Sequence, residues 1–194
     1  MKALIVYSNP NMEGHCGTIL KSVQEELRQR NIPHAVLNLE KAEFNPVMSI
    51  EEYKGAASEQ TKRYQELLAA NDKLIFIYPV WWNSMPAIMK GFFDKVLAPR
   101  FAYRYIKYPI IPFAIPKGLL TGKKAAVFMT SGSKNWQSLL VMGDRFKKLI
   151  RKDILGFCAI KSKVFRLDGC ITPVETRKKE IEKLAKKGIK YLFD

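Results

Sequence analysis

Five short apolar runs, each followed by a segment with helical spacing, constrain this chain more than any single residue does. The runs are residues 2–7, 35–39, 73–78, 124–130 and 161–167. In the first interval Ile19, Leu20, Val23 and Leu27 recur at helical spacing within 18–30. Segments 58–70, 85–97, 136–150 and 175–193 read as helices in turn. Strands buried on both faces need no polar alternation, and parallel neighbours need a crossover, usually a helix. The pattern predicts an α/β fold: a three-layer sandwich around a five-stranded parallel sheet. With 194 residues and no visible boundary, the chain is expected to form a single domain over 1–194.

Residues 98–120 break the alternation. Pro99, Pro109, Pro112 and Pro116 lie among Phe101, Tyr103, Tyr105, Tyr108 and Phe113. Too little Gly and Ser is present for a flexible linker, so this reads as an ordered excursion. Long excursions in compact domains usually carry function.

Composition narrows the chemistry. Cys16, Cys158 and Cys170 are odd in number and scattered, and the only histidines are His15 and His34. A disulfide framework and a zinc site are not expected, and a reducing cytoplasm is the simplest compartment. No apolar run approaches the roughly 18–20 residues of a membrane span. The opening MKALIVYSN reads as a first strand, not a signal peptide.

The net charge is +15, and residues 145–194 carry 15 Lys/Arg against 6 Asp/Glu. The terminal segment is expected to be an amphipathic helix with a solvated lysine face. The alternative for so basic a surface is an anionic partner. Nucleic acid is not expected; association with a membrane surface or a transporter stays open.

In a parallel sheet of this kind ligands bind beyond the carboxyl ends of the strands, where strand order reverses. Three loops belong to that edge. The first, SNPNMEGHCGT (8–18), joins strand to helix through Asn9, Asn11, Gly14, His15, Cys16, Gly17 and Thr18. Small and polar residues there let an anion approach the free amides of a helix N-terminus. The second, PVWWNSMP (79–86), places Pro79, Val80, Trp81, Trp82 and Asn83 after a buried strand. Its aromatic and main-chain walls suit a flat ring, with one tryptophan stacking and the other packing underneath. The third, MTSGSKNW (129–136), offers Thr130, Ser131, Gly132 and Trp136.

Two tempting motifs fail. GLLTGKK (118–124) lacks the spacing and final residue of a phosphate-binding P-loop, and it precedes a strand instead of linking strand to helix. Neither histidine has an obvious acid partner for a nucleophilic triad.

The segment YPVWWNSMPAIMKGFFDKVLAPRFAY (78–103) resembles the signature of the flavodoxin-like NAD(P)H:quinone oxidoreductases. KGLLTGKKAAVFMTSGS, LGFCAIK and the opening KALIVYSNP extend the resemblance over nearly the whole chain. It implies a flavodoxin-like fold, a homodimer, and a non-covalent flavin, FMN in preference to FAD. It further implies hydride transfer from NAD(P)H to a quinone or similar planar acceptor. Carried over by position, the phosphate loop is Asn9, Asn11, Gly14, His15, Cys16 and Thr18. The ring loops are Pro79 to Asn83 and Thr130 to Gly132, with Trp136. Arg100, Phe101 and Tyr103 fall where substrate should enter. The alternatives for the same fold are an electron carrier without hydride chemistry and an ancillary subunit of a membrane transporter.

Overall fold

The computed structural model describes residues 2–110, 112–140 and 143–194. In chain order the elements are β1 (Ala3–Tyr7), α1 (His15–Gln29), β2 (His34–Asn38), α2 (Ile50–Tyr53), α3 (Glu59–Ala69), β3 (Lys73–Pro79), α4 (Ala87–Val96), β4 (Tyr103–Ile106) and β5 (Ile115–Gly118). They continue with β6 (Lys124–Ser131), α5 (Asn135–Leu140), α6 (Arg145–Lys148), a π-helical segment (Leu149–Gly156), β7 (Lys161–Asp168), a 3-10 turn (Val174–Arg177) and α7 (Lys178–Phe193).

β2, β1, β3, β6 and β7 form, in that order, one sheet in which every pair is parallel. Their continuous apolar runs divide by the two-residue period of a strand. On β1, Leu4 and Val6 enter one core layer, whereas Ala3, Ile5 and Tyr7 enter the other. The first layer is closed by α3, α4 and the π-helical segment, through Tyr64, Leu68, Phe92, Ile150 and Leu155. The second is closed by α1 and α7, through Ile19, Val23, Leu27, Ile181 and Ile189. At Gly188, α7 approaches so closely that an added Cβ would lie 2.2 Å from the Phe128 ring of β6.

Two elements differ from the sequence-based expectation. The helix expected over 136–150 is interrupted: Gly143 and Asp144 have φ of +64° and +53°, which an α-helix cannot contain. The excursion over 98–120 is ordered as expected, but it contains an antiparallel pair, β4–β5, that was not expected. Gly118 lets that hairpin rest on the Cys158–Ala159 backbone, where a Cβ would come within 2.4 Å. Among the described residues no helix is long and apolar enough to cross a membrane.

Candidate active site

The strand order turns outward from β1 in both directions, to β2 on one side and to β3 on the other. The loops after β1 and β3 therefore diverge and leave a crevice at the carboxyl edge. A cavity of about 260 Å³ occupies it, lined by Asn9, Asn11, Gly14, His15, Cys16, Pro79, Val80, Trp81, Thr130, Ser131, Gly132 and Cys170. No carboxylate is among them. A larger hollow of about 630 Å³ lies elsewhere, between β2 and α3, with Glu59, Gln60 and Arg63 at its rim. It faces a sheet edge and meets no strand–helix loop of the carboxyl end, so size alone does not mark the site.

The first loop is stiffened by its own side chains. The Asn9 side-chain oxygen accepts from the Asn11 amide at 2.8 Å, and that of Asn11 accepts from the Glu13 amide at 3.0 Å. Such Asx turns hold the loop in register with the helix that follows. Gly17 fixes the junction: a Cβ there would lie 1.8 Å from the Met12 carbonyl oxygen. The first-turn amides of α1 have no intrahelical acceptor, and no acidic residue occupies that turn. The macrodipole therefore presents positive potential to the cavity. The His15 Nε2 atom is buried and without a partner. Burial, then the nearby Arg177 charge, hold the His15 imidazole below its ordinary pKa. Arg177 is itself anchored by the Asp168 and Gly169 carbonyls and by Glu180.

The second and third loops are tied together. The Val80 amide donates to the Thr130 carbonyl at 2.8 Å, continuing the sheet past its last side-chain pair. Cys16 Sγ and Thr130 Oγ1 share a hydrogen bond of 3.2 Å, which joins the first loop to the third. Ser131 turns its hydroxyl toward Ser133, 2.7 Å away. Burial pushes the Cys16 and Cys170 thiols up to about 11, so both are protonated at neutral pH.

Not every residue expected at the site reaches the cavity. The Thr18 hydroxyl donates to the Gly14 carbonyl, inside the helix. Trp136 is exposed and outside the lining. Arg100 and Phe101 precede β4 and Tyr103 opens it; Phe101 and Tyr103 pack on the core, with the Tyr103 ring 4.8 Å from that of Phe157.

The expectation that one tryptophan stacks on the ring while the other packs underneath is corrected, because neither is buried. Trp81 is half exposed and Trp82 is fully exposed. The cause is a two-residue turn closed by reciprocal bonds between the Trp81 and Ser84 backbones. It requires positive φ at both central residues, +49° at Trp82 and +59° at Asn83. Asn83 then carries a buried Oδ1 with no partner. Cys170 was missed from the sequence. Its amide bonds the Ser131 carbonyl at 2.9 Å, and the parallel order alone puts the loop after β7 at this same edge.

A family model described as flavodoxin-like fold matches residues 1–192. The chain belongs to this family. Among its relatives, a Haemophilus influenzae protein named as an uncharacterized NAD(P)H oxidoreductase is 28% identical over 203 residues, covering 96% of this chain and 94% of that one. FMN-dependent NADH:quinone oxidoreductase 2 of Clostridium perfringens is 30% identical over 171 residues, covering 82% and 81%. The crystal structure of Smu.1420 from Streptococcus mutans superposes with a TM-score of 0.81 at 33% identity, covering 97% of this chain and 98% of that one.

Proposed function

We propose that this chain is an FMN-dependent NAD(P)H oxidoreductase that reduces a quinone or a similar planar acceptor. One observation carries the reading: the crevice at the β1/β3 divergence joins a carboxylate-free helix N-terminus to a tryptophan-bearing loop. That pairing matches a ligand with an anionic tail and a flat ring. The fit rests on atoms of this chain. His15 Nε2 and Asn83 Oδ1 are buried and unpartnered, and each lacks the hydrogen bond that burial ordinarily demands.

In this reading the amides of the first turn of α1, with Asn9, Asn11, Gly14, His15 and Cys16, would hold the FMN phosphate. Pro79, Val80 and Trp81 of the lining, with Trp82 and Asn83 from the same turn, and Thr130, Ser131 and Gly132 would hold the ring. When bound, the flavin supplies the hydride relay between nicotinamide and acceptor. The chain supplies position and field. Backbone donors of the third loop favour negative charge on the ring without reorganising. The protonated Cys16 thiol adds no charge beside the phosphate. Fully exposed Trp82, next to the lining residue Trp81, would offer an apolar face to nicotinamide or acceptor.

The names of the Haemophilus and Clostridium relatives support the reaction class and, for the latter, FMN. Arg100, Phe101 and Tyr103 do not wall this chain's own cavity; in a homodimer they supply the acceptor side of the partner's site. Residues 1–194 act as a single domain, in the cytoplasm. The test is steady-state oxidation of NADH and NADPH by the FMN-loaded protein with a soluble quinone. Turnover that needs both FMN and quinone supports the reading; oxidation no faster than free FMN gives would refute it.

A further inference from the structure

The redox reading does not use the charge concentrated at the β7 edge of the sheet. Residues 145–163 contain seven Lys/Arg and a single acidic residue, Asp153. The fold gathers this run with β6. Lys124 and Lys161 are in register at the starts of β6 and β7. Lys124 Nζ and Lys163 Nζ each lie 5.7 Å from the centre of the Tyr191 ring on α7. Burial pushes the Tyr191 phenol up, and the Arg151 charge opposes it from the other layer of the sandwich. Cations from two strands therefore meet at one aromatic ring. Elsewhere the lysines and arginines are often paired, as at Lys21, Arg28, Lys62, Lys90 and Lys95. At this edge Lys124, Lys148, Arg151, Lys152, Lys161 and Lys163 make no ion pair among the described residues.

Edge strands often carry a lysine to deter strand pairing. That need ends at β7 itself and does not account for Lys148, Arg151 and Lys152 on the flanking helical segment. We propose that the β7 edge is a docking surface for an anionic lipid bilayer. Two features favour lipid over nucleic acid. Most of the cluster is lysine, a hydrated point charge suited to a diffuse anionic plane, whereas the forked guanidinium of arginine suits phosphate and base edges. α7 lies flat on the sheet with its apolar stripe buried, so it does not project to enter a groove. Docking would bring the chain to the phase in which apolar quinones partition.

The experiment is co-sedimentation of the full chain with vesicles of phosphatidylcholine alone or with about one third phosphatidylserine. Each cation near such a surface contributes a factor of about five in affinity. Arg151→Gln/Lys152→Gln/Lys161→Gln/Lys163→Gln together should weaken binding to the anionic vesicles at least 100-fold. Lys21→Gln/Lys54→Gln/Lys62→Gln/Lys90→Gln, the same charge removed elsewhere, should leave it nearly intact. Binding should also vanish in high salt. Circular dichroism checks that both variants fold. Failure to bind anionic vesicles, equal binding by the two variants, or tighter binding to duplex DNA or RNA at the same salt would overturn the proposal. Sedimentation requires neither flavin nor turnover, so its outcome is independent of the redox reading.

Discussion

Replacing Gly17 with alanine tests the phosphate loop at its tightest point. The added Cβ would sit 1.8 Å from the Met12 carbonyl oxygen, 2.5 Å from its carbon and 2.9 Å from its Cα. Ordinary contact begins at 3.4 Å, so the loop must withdraw by about 1.5 Å, and the obstacle is backbone that no rotamer change relieves. Overpacking of this kind costs about 1–3 kcal/mol, offset by about 1 kcal/mol of helix propensity gained from alanine. The net loss of up to about 2 kcal/mol lowers Tm by up to about 8 °C at this chain length. The larger effect is on FMN. Withdrawal carries Asn11 and Gly14 away from the helix amides, and loss of two charge-assisted bonds at about 1.5 kcal/mol each weakens binding about 100-fold. Flavin fluorescence titration measures it. Gly14→Ala is the control: its Cβ meets the movable Asn11 side chain at 3.2 Å and the Asn11 carbonyl oxygen at an ordinary 3.8 Å, and φ is −81°. Its affinity should stay within about fivefold. Gly17→Ala with wild-type affinity and Tm would refute the argument.

Other consequences follow from single residues. His15→Ala removes the unpartnered buried nitrogen and should weaken FMN binding by about tenfold or more with little change in Tm, read by the same titration. Trp82→Gly relieves a left-handed conformation at a fully exposed side chain, so Tm should rise by a few degrees while kcat/KM for the acceptor falls. Glu52 is held at about 2: burial alone would raise it, but the Ser49 amide and Lys95 outweigh that. A carboxyl depressed in the folded state contributes stability above its unfolded pKa of about 4.5 and loses it as pH falls toward about 2. Urea unfolding from pH 6 to pH 2.5 should show that decline, and Glu52→Gln should flatten it.

Much of the fold was legible because strands buried on both faces are unbroken apolar runs. Leu74 to Tyr78 and Ala125 to Met129 could not be solvated, so they had to be central. The helix expected across 136–150 failed at Gly143 and Asp144, because apolar spacing continues through a break that depends on backbone φ. The three loops were found from parallel topology, which sends every strand's end to one edge. Side-chain direction was not legible. One tryptophan of the Trp81–Trp82 pair was expected to pack underneath, yet reciprocal bonds between the Trp81 and Ser84 backbones force a primed turn that throws Trp82 into solvent. Thr18 looked like a ligand-facing hydroxyl, but helical geometry gives it the Gly14 carbonyl. Strain at a bulky residue is costly and survives where function uses it, and Trp82 is where composition and conformation disagree most.

The most direct test of the central claim is the visible spectrum of the protein loaded with FMN, followed through anaerobic addition of NADPH or NADH. The account predicts a bound-flavin spectrum, shifted from that of free FMN, that bleaches at about one equivalent of nicotinamide and returns on adding quinone. A protein that binds no FMN in excess, or whose bound flavin neither nicotinamide bleaches, would contradict it.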